Sequence, residues 1–525
     1  MAKTIDNHFR EVLEKCIDGE QSAFVPGRLI SDNVLLAYEI LHTLKRKKLG
    51  KKGWMAVKLD MSKAYDRVEW SFVQEIMRKM GFDPNWINSI MNCIATVSYS
   101  VVLNGQAGDI FHPSRGLRQG VPLSPFLFLI CGEGLSSLMK KSIQEGHLKG
   151  VKASRRGPQI SHLLFADDYI LFGEANERGA GFIKRVLCEY GKCSGQQVNF
   201  EKSTVLFSSN TREEEKRVVT QILGVRFSND PEHYLGLPNM VGRRKKEAFQ
   251  NLKDRFKQKI DNWSIRHLSQ GGKEVFIKAL YRYMQWLVFC FVKLYASNWR
   301  VSLQNFGGKR VIVDGESIGV CGKIYALQKK MVVWFNIALL AKQGWHLIHY
   351  PNSLLAQISY MHSWRNSPSL TWKNVWTAKR LLQDGLGWRI EKSDRVSVSN
   401  DHWIPGIANI RSNDNTSSTK IEFVSSLIEP TTRKWKVELI EHIFPENIAQ
   451  KILQLPLAEE AHEDFQVWCG ENSGEFTVRS AYKLLQEVNL DPNAYLLQIE
   501  GKNFYKKLWS LQLPTKILIT VWRLS

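Results

Sequence analysis

Two adjacent carboxylates, Asp167 and Asp168, interrupt an otherwise apolar run, LLFADDYILF (Leu163 to Phe172). Short apolar runs of this kind read as buried strands, and an acidic pair where two strands meet costs desolvation unless a cation or a donor compensates it. A plain hairpin turn accounts for the doublet taken alone, because Asp suits turns. A second run, WMAVKLD (Trp54 to Asp60), ends on a third carboxylate and leads at once into MSKAYD (Met61 to Asp66). If the two strands lie side by side, Asp60, Asp167 and Asp168 share one patch whose mutual repulsion divalent cations relieve. The chemistry open to such a patch is two-metal phosphoryl transfer, with ions about 3.5–4 Å apart acting on an attacking oxygen and a leaving pyrophosphate.

The elements that must hold these carboxylates are punctuated clearly. Residues 4 to 16 place Ile5, Phe9, Val12, Leu13 and Cys16 at helical spacing. Ser31 or Asp32 can cap a helix whose Val34, Ala37, Leu41 and Leu44 make an apolar face, and whose basic end, Lys45 to Lys48, suits a helix C-terminus as well as it suits a template. A helix carrying Val68, Phe72, Val73, Ile76, Met77 and Met80 stops at Gly81, and Asp83 with Pro84 opens another. Tyr99 to Phe111 reads as a hairpin turning on Asn104-Gly105. In Arg115 to Pro125, Gly116 and Gly120 let backbone approach a ligand before a helix starts at Ser124-Pro125. Asn176 caps a helix running to Gly195, QVNFEKSTVLF reads as a strand carrying Lys202, and Thr211 with Glu214 forms a capping box. From Gly242 a basic helical stretch (Arg243, Arg244, Lys245, Lys246) has Phe249, Leu252, Phe256 and Ile260 on its other face; it serves phosphates or is simply amphipathic.

Composition narrows the class. At 525 residues and 44% hydrophobic, the chain can bury several cores and is not disordered. Lys plus Arg total 72 against 51 Asp plus Glu, and a net charge of +21 points to a polyanionic partner, most simply nucleic acid. The eight cysteines are scattered with no Cys-x-x-Cys pair, which predicts buried reduced thiols. The N-terminal stretch is too charged for a secretory signal, and apolar runs such as Met284 to Val292 are too short to span a bilayer, so the expectation is an intracellular protein without a membrane.

Six stretches, in order, carry a family resemblance: QSAFVPGRLISDN (Gln21 to Asn33), KLDMSKAYDRVEW (Lys58 to Trp70), SRGLRQGVPLSP (Ser114 to Pro125), HLLFADDYILF (His162 to Phe172), SGQQVNFEKS (Ser194 to Ser203) and YLGLP (Tyr234 to Pro238). The chain resembles the reverse transcriptase of plant non-LTR (LINE-type) retrotransposons, truncated at both ends, specifically over about residues 5 to 290 and loosely beyond. The resemblance implies an α+β, right-hand polymerase: a palm of antiparallel sheet and helices, partial fingers, a helical thumb and a mixed C-terminal extension. Its implied divisions are 1–52 partial fingers, 53–240 palm with fingers insertions, 241–295 thumb-like helices, 296–420 a divergent connector and 421–525 a C-terminal region. That last region resembles the start of a zinc-binding segment without its ligands, so no zinc is expected.

The implied reaction is RNA-directed DNA synthesis, with two Mg²⁺ ions on Asp60, Asp167 and Asp168 and with RNA template, DNA primer and dNTPs as partners. Tyr65 would exclude a 2′-hydroxyl, Gln119 and Gly120 would position template and nucleotide, and Arg28 would touch template or nucleotide. Lys202 would donate a proton to pyrophosphate, while Tyr234, Leu235 and Gly236 would grip the primer and Arg243, Arg244, Lys245 and Lys246 would track the hybrid. Core Tyr and surface Lys roles stay open for Tyr65 and Lys202. Val121 departs from the Asp of many relatives, and the Gly-rich stretch between Phe289 and Trp334 departs from the family's Trp-rich connector. Cleavage of target DNA would need a separate endonuclease, and such an element's life implies the nucleus. A catalytically inactive relic that binds nucleic acid is the alternative, favoured by these departures and opposed by the intact acidic trio.

Overall fold

The computed structural model describes residues 2–153, 157–228, 318–361, 370–390, 393–399, 401–404, 407, 421–457, 463–489 and 510–511. The chain divides into two compact units, Met1–Trp263 with Tyr350–Ser369, and Ser264–His349 with Leu370–Ser525. The expected primer grip at Tyr234–Gly236, the basic run at Arg243–Lys246 and the thumb helices lie outside the described residues.

In the first unit the order is α1 (Ala2–Cys16), α2 (Ile30–Arg46), β1 (Trp54–Leu59), α3 (Trp70–Lys79), α4 (Pro84–Ala95), β2 (Val102–Leu103), β3 (Gln106–Ala107), α5 (Ser124–Gln144), β4 (Val151–Lys152), β5 (Gln159–Ile160), β6 (His162–Phe165), β7 (Asp168–Glu174), α6 (Glu177–Ser194), β8 (Thr204–Phe207), α7 (Glu213–Leu223) and β9 (Arg226–Phe227). Five strands form one sheet in the order β6-β7-β1-β8-β9, antiparallel except for the β8–β9 pair. The two strands that carry the carboxylates are therefore neighbours. Met55, Ala56, Val57 and Leu59 on β1 and Tyr169 to Phe172 on β7 are all buried, as befits central strands too apolar to face water. Helix α5, whose Phe126 to Cys131 are buried, belongs to the same core as α1, α3 and α6.

Local signals set most of the boundaries. Asp83 accepts from the amides of Asn85 and Trp86 at the start of α4, and Asn176 accepts from Gly179 at the start of α6. Asn104 and Gly105 both have positive φ (50° and 84°) in the turn between β2 and β3. Four expectations need correction. Helix α2 starts after Leu29, with Asp32 reaching back to the Leu29 amide at 3.4 Å, and its buried face runs through Leu36, Ala37, Ile40, Leu41 and Leu44 with Val34 off its edge. Helix α7 starts after Arg212 with Glu215 answering it, because Thr211 is held instead by Ser208 at 3.0 Å. Strand β8 starts only at Thr204, so Lys202 sits on the preceding turn, its amide bonded to Asn199 Oδ1 at 3.2 Å. The six described cysteines are free thiols as expected, but Cys131 alone is buried, while Cys188, Cys193 and Cys469 are exposed.

In the second unit, helix Ile318–His349 shares a core with Leu381, Trp468, Phe476 and Ala481. Strand Leu386–Arg389 pairs antiparallel with Phe465–Trp468, so segments on either side of position 421 are built together. Trp345 meets Trp468 edge-on at 6.4 Å, and Trp345, Trp403 and Trp468 are buried, which makes these indoles core rather than platforms for bases.

Candidate functional site

The register of β1 on β7 does the assembling. Leu59 pairs with Tyr169, so Asp60 leaves the sheet opposite Asp168. Phe165 pairs with Asp168 across the two-residue turn Ala166-Asp167. Ala166 has φ 51°, a left-handed value that costs a residue with a Cβ and persists where neighbours over-determine it. The neighbour here is Gln21, buried at the end of the α1 segment. Its Oε1 accepts the Ala166 amide at 3.3 Å and the Ala23 amide at 2.9 Å, while the backbone on either side pairs with Leu164. Sequence reasoning used Gln21 only as part of a motif; its hold on the turn becomes visible once the two segments are adjacent.

Asp60 is anchored from the other side. Its amide donates to Ser203 Oγ at 3.1 Å and its carbonyl accepts the Asn199 amide at 2.8 Å, which sets the exposed Lys202 turn beside it. Asp60 and Asp167 are exposed and Asp168 is half-buried. Burial raises the Asp168 carboxyl above its usual range, with Lys58 opposing and Asp167 and Asp60 adding to the rise. The Tyr65 ring lies flat on Phe128, centroids 4.5 Å apart at 8°, and burial, helped by the Asp167 charge, pushes its hydroxyl up to about 12. The loop after it is docked: Gly116 and Leu117 donate to the carbonyls of Val68 and Tyr65 at 2.8 Å each, and Trp70 Nε1 donates to Gly116 at 2.7 Å. At Gly116 (φ +90°) a Cβ would stand 2.8 Å from the Asp66 carbonyl. Gln119 and Gly120 follow on this loop, exposed.

Arg28 is elsewhere occupied. Nη1 donates to the carbonyls of Asp18 and Gln21, and Nη2 to those of Ile17 (2.8 Å) and Glu14 (3.5 Å). Only the Glu14 carbonyl belongs to the last turn of α1; the other three follow it in the segment leading to α2. Both terminal nitrogens bond backbone carbonyls, so Arg28 clamps the segment that follows α1.

A second acidic cluster sits on the far end of β6. Asp18 accepts from Ser136 at 2.6 Å and pairs with Lys140; Lys140 also reaches Glu20 at 3.5 Å, and Glu133 accepts the Asp18 amide at 3.0 Å. His162, fully buried, lies between the Ser136 and Ser161 hydroxyls at 2.7 and 2.8 Å. Burial pushes Glu133 to about 7 and likewise raises Glu20. Burial pushes His162 down to about 4. Asp18 goes the other way despite burial, because Glu20, Lys140 and Ser136 all hydrogen-bond to it. Among the described residues, Asp18, Glu20 and His162 form the one set of three such ligand atoms all within 4.8 Å of one another. Asp60, Asp167 and Asp168 leave the same edge of the sheet, but their oxygens do not all lie within that distance of one another.

A mainly antiparallel sheet under helices, with three carboxylates at one edge, defines a class, and sequence comparison names it. Residues 1–238 match the family described as reverse transcriptase (RNA-dependent DNA polymerase). The chain's relatives include retrotransposon proteins and, separately, plant sequences. An uncharacterized mitochondrial protein of Arabidopsis thaliana is 51% identical over 67 residues, 13% of this chain and 55% of its own length. The transposon TX1 uncharacterized 149 kDa protein of Xenopus laevis is 28% identical over 214 residues, 40% of this chain and 16% of its own. The Pol polyprotein of the type-1 retrotransposable element R2 of Popillia japonica is 29% identical over 161 residues, 31% and 25% respectively. The chain thus spans about half or less of these relatives' lengths. Among solved structures, a telomerase from Candida albicans in complex with a fragment of telomeric RNA overlaps 69% of this chain and 53% of its own at 12% identity and a TM-score of 0.35, a level at which shared shape decides nothing. Among the described residues no helix is long and apolar enough to cross a membrane.

Proposed function

We propose that this chain is an RNA-directed DNA polymerase that extends a DNA primer with dNTPs along an RNA template. The observation that carries the reading is the β1–β7 register, which sets Asp60 across from the Asp167-Asp168 turn. In this reading the five-stranded sheet is the palm, residues 1–52 are partial fingers, 241–295 the thumb, and 296–420 and 421–525 the extension. The nucleus as the place of action belongs to the same reading.

Two Mg²⁺ ions fit the trio because its donors are hard oxygens, and Asp168, raised by burial, also feels the charges of Asp167 and Asp60. When bound, they lower the charge on the attacking 3′-oxygen and steady the leaving pyrophosphate. The chain's own part is positional. Gln21 and Ser203 hold the two carboxylate-bearing segments in register. Tyr65, locked on Phe128, puts a rigid ring beside Asp167, where a 2′-hydroxyl would collide. Gln119 and Gly120 line the approach to the nucleotide, and Lys202, beside Asp60, is placed to give a proton to pyrophosphate.

The alternative, a nucleic-acid-binding relic, draws support from the open spacing of the three carboxylates. Primer extension on an RNA template decides between them. Wild type should extend with dNTPs in Mg²⁺, Asp168→Asn should lose on the order of 10³-fold in rate, and Tyr65→Ala should begin to accept ribonucleotides. Template binding without Mg²⁺-dependent extension in the wild type would select the relic.

A further inference from the structure

The sheet has two ends, and the one away from the carboxylates is crowded with the opposite charge. Lys45, Arg46, Lys47, Lys48, Lys51 and Lys52 fill the end of α2 and the loop into β1. Lys149 joins them through Glu174, which takes Lys52 at 2.9 Å and Lys149 at 4.0 Å. Among the described residues no ion pair engages Lys45, Lys48 or Lys51, all three of them exposed. Solvation alone explains exposed lysines, but it does not explain why their backbone is fastened.

Asn210 Nδ2 donates to the carbonyls of Gly50 (2.9 Å) and Lys52 (2.8 Å), and the Ser209 amide and hydroxyl donate to the carbonyls of Leu44 and Lys45. Gly50 turns at φ +115°, a value that favours glycine. Lys47 lies 4.9 Å from the Trp54 ring centroid, which fixes its stem. A loop ordered before binding has less entropy to lose when a partner arrives. The distance is also telling. Trp54 to Asp60 is six strand steps, roughly 20 Å at about 3.3 Å each, so the phosphates held at one end cannot be those reacting at the other.

We infer that this basic end is a second nucleic-acid contact, reading phosphate backbone without sequence. A lipid surface suits it less, because Leu49, 88% exposed, is its one projecting aliphatic side chain and membrane-surface binding needs a broad apolar face. The contact lies beyond the polymerase reading and is tested without any synthesis.

The full chain is titrated against a labelled RNA hairpin and a labelled DNA duplex over rising salt, and against phosphatidylserine vesicles. Wild type is compared with a patch variant, Lys45→Gln/Lys48→Gln/Lys51→Gln, and with an equally discharged control, Lys15→Gln/Lys79→Gln/Lys192→Gln, whose lysines are also exposed. The patch variant should bind RNA, DNA or both at least about tenfold more weakly near 0.1 M salt, and its log K against log salt slope should be shallower by about 2 to 3, one step per lost contact. The nucleic acid that responds identifies the source of the phosphates. Equal losses in the two triple variants, no loss in either, or a loss confined to vesicles would overturn the inference.

Discussion

Strand β6 separates two acidic clusters with opposite fates. At its C-terminal end Asp60, Asp167 and Asp168 stand largely in solvent, their oxygens not all within 4.8 Å of one another, with Lys58 the one cation that eases Asp168. At its N-terminal end Asp18 and Glu20 pair with a half-exposed ammonium, Lys140, with Glu133 beside them, and Asp18 shares the Ser136 hydroxyl with a buried His162. Ligand atoms at short range distinguish the second cluster. Charge balance picks the first, because the second already holds its cation in Lys140 and its neutral members need none. Close packing of acids thus marks a satisfied structural knot, and the looser trio is the one that still needs an ion.

Breaking the knot should cost folding rather than chemistry. Lys140→Met strands Asp18 beside two carboxyls, and about 2 kcal/mol of stability should go near pH 8, after discounting for the ammonium's exposure. The loss should shrink near pH 5, where Glu20 and Glu133 carry protons, as denaturant titrations at the two pH values would register. An equal loss at both would mean that the lysine stem, and not its charge, matters.

Between the clusters runs Gln21. Replacing it by the similarly sized Met removes both acceptor bonds and lets the Ala166-Asp167 turn relax. The turnover rate in primer extension should fall about 10- to 100-fold with little change in the KM for dNTP. A raised KM with an unchanged rate would move Gln21 from positioning to binding.

A substitution of opposite sign sharpens the charge assignment. Glu133 has its pKa raised from 4.5 to about 7, so between those values the folded chain keeps a proton that the unfolded chain has lost. Its contribution is therefore present at low pH and lost as pH rises through that window. Glu133→Gln keeps an acceptor for the Asp18 amide, and it should match wild type near pH 5 and exceed it by about 2 kcal/mol near pH 8. A flat difference across pH would remove Glu133 from the knot's proton balance.

The trio's placement was legible because each carboxylate ends an apolar strand, and strand ends keep their place when strands pair. Arg28's hold on the carbonyls of Ile17, Asp18 and Gln21 was not legible, because its motif says nothing of partners that meet it only when the chain turns back. The knot was invisible for a similar reason: Asp18, Glu133, Lys140 and His162 come from distant segments and acquire meaning through packing. The caps at Leu29 and Arg212 missed by small shifts, where neighbouring side chains such as Ser208 competed for the predicted group. Lys202 moved from strand to turn because Asn199 captured its amide.

Binding of Mn²⁺ by the full chain, followed by electron paramagnetic resonance, tests most directly which of the two clusters takes the ion. Asp60→Asn and Asp168→Asn should each abolish tight binding while Asp18→Asn leaves it intact. Binding that survives the first two substitutions and vanishes with the third would contradict this assignment.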